Sequence, residues 1–182
     1  HSNLQRFASY ASLTVAFTLV GIKLWAWTST GSVSLLSSLV DSFLDVMASA
    51  ITVIAVRVSL LPADSEHRFG HGKAEGLAAL AQALIISGSA FYVFSEAVQR
   101  LIEPQAVKAP ELGIGVMGLS IVMTLGLVAF QRYVVRKTAS MAISADAVHY
   151  QTDLIINAGV AIAIPIAAWT DLIIVDPLVG IF

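Results

Sequence analysis

The chain has 182 residues, of which 57% are hydrophobic and 12% charged, and its formal net charge is −2. An ordinary soluble domain is about one quarter charged, and a soluble core of this size cannot enclose so much apolar surface. The absence of cysteine excludes a disulfide scaffold and a thiolate metal site, and the net charge is too small to indicate a nucleic-acid partner. The composition predicts a membrane protein.

Five apolar stretches follow one another along the chain, and each has the roughly 20 residues that a helix needs to cross a bilayer. They are Phe7–Trp27, Val33–Leu60, Ala74–Ile102, Leu112–Val135 and Met141–Trp169. A sixth stretch, Leu172–Phe182, is too short to span, and we interpret it as the truncated start of a sixth helix. The prediction is an all-α membrane protein, with residues 1–182 forming a six-transmembrane-helix bundle.

Lysine and arginine residues mark one side of this bundle as cytoplasmic. Seven of the ten lie before the first helix or around the second and fourth breaks: Arg6, Arg57, Arg68, Lys73, Arg132, Arg136 and Lys137. Only Arg100 and Lys108 lie near the third break. The N-terminus is therefore predicted to be cytoplasmic. Lys23, inside the first helix, is expected to extend its ammonium group to the membrane interface.

Two pairs of ionisable residues lie inside the apolar helices, where an ionised carboxylate costs several kcal/mol. Asp41 and Asp45 lie on the second helix, and His149 and Asp153 lie on the fifth. The i, i+4 spacing places each pair on one helix face. At 1.5 Å per residue, Asp45 and Asp153 lie about 18 Å and about 22 Å from the outer ends of their helices. All four residues are therefore expected to form one cluster near mid-membrane.

Three carboxylates and one imidazole in this cluster favour a divalent transition metal. Zn²⁺ binds aspartate oxygen and histidine nitrogen in a tetrahedron, whereas Mg²⁺ and Ca²⁺ prefer more oxygen ligands and no imidazole. The ion would bring a charge of +2 against −3 from the three carboxylates. A proton or surrounding dipoles would balance the remaining negative charge. The alternative is that these polar residues only hold helices together through hydrogen bonds.

A second candidate site lies in the polar break after the second helix. Asp64, His67 and His71 lie close together in sequence and are predicted to bind one ion as a loop site. The alternative is an ordinary solvated loop. Two further carboxylates, Glu75 and Asp146, lie near cytoplasmic helix ends, where a helix N-terminus favours negative charge.

These motifs resemble the cation diffusion facilitator family, close to its bacterial zinc and ferrous-iron efflux members. The resemblance covers essentially the whole chain, and the run from His71 to Glu75 together with both intramembrane pairs is highly specific. The residues that carry it are Gly31-Ser32-Val33-Ser34, Leu39-Val40-Asp41-Ser42 with Asp45, Pro62-Ala63-Asp64, His67-x-Phe69-Gly70-His71-Gly72-Lys73-Ala74-Glu75 and His149-Tyr150-Gln151-x-Asp153.

The resemblance implies a six-helix membrane domain followed by a cytoplasmic metal-binding domain, in a homodimer of the bacterial inner membrane. It implies proton-coupled export of Zn²⁺, with Cd²⁺ or Fe²⁺ as further substrates. The positions that match the family's transport site are Asp41, Asp45, His149 and Asp153, and those that match its loop site are Asp64, His67 and His71. Lys73 matches a charge interlock at the dimer interface.

The sequence therefore predicts a secondary active transporter working by alternating access, with metal cations, protons and lipid as partners and no nucleic acid. Three other functions remain open: a channel with a carboxylate ring, an intramembrane protease, and a metal sensor or scaffold that moves no ions. The chain lacks His-Glu-x-x-His and Gly-x-Gly-Asp, which disfavours the protease. It also lacks a phosphate-binding loop, which disfavours transport driven by ATP.

Overall fold

Five long helices make up the regular structure of the computed structural model, which describes residues 2–31, 33–102 and 110–170. They are α1 (Ser2–Thr30), α2 (Val33–Ser59), α3 (Lys73–Ile102), α4 (Pro110–Thr138) and α5 (Met141–Thr170). Each corresponds to one predicted apolar stretch, with its ends displaced by at most five residues. The predicted sixth segment, Leu172–Phe182, lies outside the described residues.

Four of these helices are long and apolar enough to cross a bilayer. Within the described residues the candidate spans are Ser2–Thr30, Leu35–Ser59, Lys73–Ser95 and Glu111–Thr138. Large apolar side chains such as Phe17, Leu84 and Val122 point outward, whereas Ala8 and Ala16 are fully buried. Small residues inside and large apolar ones outside are the arrangement expected of helices that pack together in lipid.

The helices pack so that α5 reaches α2, the other helix that carries candidate ligands. α1 packs against α2 and α4, and α5 packs against α3 and α4 and also touches α2. A core cluster joins these elements near one end of the bundle: Ala8, Ala55, Val56, Ala78, Val134, Ala142 and Ile143. Because α2 and α5 are in contact, polar residues at equal depth on the two helices can meet.

Glu75, in the first turn of α3, caps the N-terminus of a different helix. Its carboxylate accepts hydrogen bonds from Met141 N at 2.7 Å and Ser140 Oγ at 2.8 Å, at the start of α5. A carboxylate satisfies the orphan amides of a helix start and interacts well with its dipole. The contact ties α3 to α5 across the α4–α5 turn, where Ala139 adopts a positive φ of 52°.

Candidate metal centres

Asp45 on α2 meets His149 and Asp153 on α5, and we call these three residues the buried cluster. One ligand atom from each lies within 4.8 Å of the others. His149 Nε2 lies 3.1 Å from Asp45 Oδ1 and 3.7 Å from Asp153 Oδ2. Tetrahedral Zn²⁺ with bonds of about 2.1 Å separates its ligand atoms by about 3.4 Å. The side chains therefore already stand at spacings that suit one such ion.

The buried cluster is almost closed to the surface of the bundle. The exposed fractions of the side chains are 2% for His149, 7% for Asp45 and 12% for Asp153. Asp153 Oδ2 is buried and accepts no hydrogen bond from the described part of the chain. A buried carboxylate oxygen without a donor is costly, and coordination of a cation would remove that cost.

Asp41, the fourth residue predicted for this site, lies outside the buried cluster. Its Oδ1 accepts a hydrogen bond from Ser89 Oγ on α3 at 3.2 Å. It remains one turn from Asp45 on α2, so the two carboxylates are neighbours on that helix. The structure thus brings three of the four predicted residues together and places Asp41 beside them.

Lys23 does not extend to the membrane interface, and the expectation that it would is wrong. Its residue is only 7% exposed. The ammonium group crosses from α1 to α2, where Nζ donates to Ser42 Oγ at 2.7 Å and to the Ser38 carbonyl at 3.2 Å. Packing of α1 on α2 turns this side chain inward. The sequence signal that was missed is a basic residue well inside an apolar helix that precedes a carboxylate pair.

Asp146 also differs from its predicted role at a helix end, since it is fully buried between four helices. It accepts hydrogen bonds from Ser12 Oγ on α1 and Gln131 Nε2 on α4, each at 2.6 Å. Gln82 Nε2 on α3 donates to its other oxygen at 3.1 Å. Neutral donors from three other helices therefore satisfy this carboxylate, and the hydrogen bonds orient α5 one turn before His149.

Ser12 connects the Asp146 network to a further polar contact. Its hydroxyl lies 2.7 Å from Ser49 Oγ on α2, which in turn lies 2.9 Å from the Tyr150 hydroxyl on α5. Tyr150 is 1% exposed. This chain of hydroxyls links α1, α2 and α5, and it fixes the rotation of α5 that turns the neighbouring His149 toward Asp45.

Asp64, His67 and His71, which we call the loop cluster, lie together in the connection between α2 and α3. Asp64 Oδ1 lies 3.4 Å from His67 Nδ1, and its Oδ2 lies 3.5 Å from His71 Nε2. The two imidazole rings stand with centroids 4.5 Å apart. One carboxylate and two imidazoles at these distances suit a borderline metal such as Zn²⁺.

A tight turn organises the loop cluster without help from the helices. Asp64 Oδ1 accepts hydrogen bonds from the amides of His67 at 2.6 Å and Glu66 at 3.0 Å. The His67 amide is the largest cause that lowers the pKa of the exposed Asp64 carboxyl below its ordinary value. Gly70 has a positive φ of 78°, which glycine adopts without steric cost. The turn at this residue brings His71 back toward Asp64.

The family to which this architecture belongs follows from comparison with known proteins. Residues 9–182 match the family described as the cation efflux transmembrane domain. The chain belongs to this family. The resemblance to the cation diffusion facilitators and the all-helical membrane fold are thereby confirmed.

Bacterial relatives align along most of the chain. It is 48% identical over 167 residues to the cation-efflux pump FieF of Pectobacterium carotovorum subsp. carotovorum (strain PC1), covering 92% of this chain and 56% of that protein. It is 52% identical over 157 residues to the cation-efflux pump FieF of Salmonella choleraesuis, covering 86% and 52% respectively. The chain spans about half the length of the curated relatives it matches.

Proposed function

We propose that this protein exports divalent transition-metal ions, Zn²⁺ first and Cd²⁺ or Fe²⁺ as further substrates. The single observation that carries the proposal is the buried cluster, in which two carboxylates and one imidazole converge inside an apolar bundle. Such groups are expensive in a membrane and usually mark an ion pathway. The relatives, which are named cation-efflux pumps, support the direction of transport and a transporter rather than an enzyme.

The ligand set favours a borderline metal over a hard one. Ca²⁺ binds six to eight oxygen ligands, and Mg²⁺ retains several waters in an octahedron. Two aspartates and a histidine suit Zn²⁺, and Fe²⁺ and Cd²⁺ accept the same donors. Asp41, one turn along α2 from Asp45, is the fourth ligand in this proposal, and it would exchange its contact with Ser89 for the metal.

Transport in this proposal is coupled to protons. A metal binds carboxylates and neutral imidazole, so it must displace any protons that these groups hold. Imidazole changes charge readily between about pH 5 and 8, which suits His149 for carrying a proton in the opposite direction. Rocking of α2 and α5 relative to one another would open the buried cluster to each side of the membrane in turn.

The topology and assembly form part of the same proposal. We place the N-terminus in the cytoplasm and the chain in the bacterial inner membrane, as one transmembrane domain (1–182) whose sixth helix begins at 172. A cytoplasmic domain would account for the greater length of the relatives. The partner is a second copy, with Lys73 in a charge interlock, and the exposed loop cluster is a second metal site on the cytoplasmic side.

The test is zinc uptake and equilibrium zinc binding by the full-length protein in proteoliposomes, comparing wild type with Asp45→Ala. Glu111→Ala, an exposed carboxylate on α4, is the matched control. We expect Asp45→Ala to lose both activities while Glu111→Ala retains them. Undiminished transport by Asp45→Ala would mean that these carboxylates are structural and that the proposal is wrong.

The same experiment also separates the rival functions. A channel would give fast, unsaturated flux with weak binding, whereas saturable, slow uptake supports a transporter. Binding without flux would indicate a sensor or scaffold. Zinc flux that does not respond to an imposed pH gradient would contradict the proton coupling and leave the metal transport standing.

A further inference from the structure

We propose that Ser89 on α3 is a positioning residue that holds Asp41 apart from the buried cluster until a metal binds, and thereby limits the affinity of the transport site. The inference rests on the proposed function, in which Asp41 is the fourth ligand, and it adds a residue from a third helix. Ser89 would not bind the metal. It would compete with the metal for one carboxylate.

The first step is the contact between the two side chains. Ser89 Oγ donates a hydrogen bond to Asp41 Oδ1 at 3.2 Å, and Ser89 is only 8% exposed. Asp41 lies outside the buried cluster, although it is one turn from Asp45 on the same face of α2. A change of its side-chain rotamer can redirect the carboxylate while the backbone of α2 stays in place. Ser89 therefore holds a group that lies next to the metal site.

The second step is the position of Ser89 on its helix. Three polar side chains of α3 that contact α2 recur every seven residues, at Glu75, Gln82 and Ser89. Seven residues are nearly two full turns of an α-helix, so these side chains lie in one stripe that faces α2. Packing of α3 on α2 therefore directs the Ser89 hydroxyl toward Asp41.

The third step is a comparison of these three contacts. The first two positions of the stripe join α3 to the Ser59 hydroxyl and to the carbonyl of Ala48, neither of which is a proposed ligand. A metal can bind while both of these contacts stay formed. The contact of Ser89 involves a proposed ligand, Asp41, so it is the one of the three that metal binding would break.

The fourth step is the effect on affinity. When only a fraction of the protein is in the form that binds, the apparent affinity is reduced by that fraction. The form in which Asp41 accepts a hydrogen bond from Ser89 lacks the fourth ligand, so this bond lowers the fraction that is ready for the metal. A carrier must also release its ion on the far side of the membrane, and a competing partner for Asp41 assists that release.

The test is equilibrium zinc binding and zinc uptake by the full-length protein in proteoliposomes, comparing wild type with Ser89→Ala. The substitution removes the hydroxyl and keeps Cβ. We expect zinc to bind about tenfold more tightly, since a hydrogen bond to a charged group contributes about one factor of ten or more to an equilibrium constant. The KM for zinc uptake and the maximal rate should both fall, because the ion leaves the site more slowly.

Ser87→Ala is the matched control. Ser87 is an exposed serine on the same helix, and its hydroxyl donates to the Ala83 carbonyl at 2.8 Å. Zinc affinity should stay at the wild-type value in this variant. In an Asp41→Ala background, Ser89→Ala should leave the affinity of Asp41→Ala unchanged, since the hydroxyl then has no carboxylate to hold and the two substitutions are not additive.

A purely structural role for Ser89 predicts a different pattern. Loss of packing between α2 and α3 would lower zinc affinity, or the amount of folded protein, in both backgrounds. Unchanged or weaker zinc binding by Ser89→Ala would overturn the inference, and so would an equal gain in the Asp41→Ala background; the proposed function would stand in either case. Failure of the wild type to bind zinc would overturn the proposed function itself, and this inference with it.

Discussion

The buried cluster and the loop cluster use the same ligand chemistry in opposite settings. The first has two carboxylates and one imidazole, and Asp45 on α2 lies 104 residues from His149 on α5 in sequence. The second has one carboxylate and two imidazoles within a single short turn. Asp64 and His67 are more than half exposed, whereas His149 is 2% exposed.

This difference shows that the free-energy cost of leaving similar ligands without a metal depends on whether water solvates them. In the loop cluster water solvates each group, backbone amides pre-organise Asp64, and leaving the site without a metal costs little. In the buried cluster Asp153 Oδ2 lacks a donor within the described structure, and a bound cation or a proton would offset its loss of solvation. A buried site of this kind favours binding of an ion, while a solvated loop tolerates its absence.

The largest expected effect comes from Asp153→Asn in the buried cluster. Mutating a residue that only hydrogen-bonds to a metal ligand typically weakens metal affinity by roughly 10–100-fold. Removing a ligand itself should weaken zinc binding by more than that. The substitution also removes a buried carboxylate whose Oδ2 accepts no hydrogen bond within the described residues, so the melting temperature of the metal-free protein should stay the same or rise. Isothermal titration and thermal unfolding in detergent measure the two effects. A large fall in melting temperature with zinc binding intact would mean that Asp153 is a structural residue and not a ligand.

Asp146→Ala tests whether burial alone makes a carboxylate a ligand. Asp146 is as buried as the cluster residues but accepts hydrogen bonds from Ser12, Gln82 and Gln131. Its loss leaves buried donors unsatisfied, at about 1–3 kcal/mol for each group that stays without a partner. We expect clear destabilisation in thermal unfolding, with zinc affinity retained in the folded fraction. Loss of zinc binding without destabilisation would show that Asp146 is a ligand.

His71→Ala is expected to act on the loop cluster alone. It removes one of the three ligands, and zinc affinity at this site should fall about tenfold or more, while the buried cluster keeps its own ion. Two-site titration curves measured beside Arg68→Ala, an exposed neighbour, resolve the two affinities. Equal weakening of both sites would mean that the loop and the membrane cluster are coupled.

The smallest expected effect is the loss of the hydrogen bonds that Asp64 accepts in its turn when the pH is lowered. Its carboxyl pKa is lowered by the His67 amide first. Its contribution is therefore complete above the unfolded value, about 3.9, and is lost as the pH falls through the lower folded value. Below about pH 4 the amides of Glu66 and His67 should exchange hydrogen faster relative to their intrinsic rates. Asp64→Asn should show no such step; the same step in that variant would contradict the assignment.

The helices were predictable because lipid imposes a simple rule on sequence. Every backbone group in a membrane must be bonded internally, so runs of about 20 apolar residues become helices whatever their neighbours are. The stretches beginning at Val33 and Met141 therefore agree with α2 and α5 in the structure. The loop cluster was also predictable from the sequence, since a local turn brings Asp64, His67 and His71 together.

What the sequence determined by itself is the set of spans, the identity of the ionisable residues inside them and the local turn that gathers the loop cluster. Only the tertiary structure decided which way each helix faces. It turned Lys23 onto α2, enclosed Asp146 among neutral donors, and moved Asp41 toward Ser89 while His149 met Asp45. The physical reason is that hydropathy places a residue along a helix, whereas its rotation toward a partner depends on packing between helices distant in sequence.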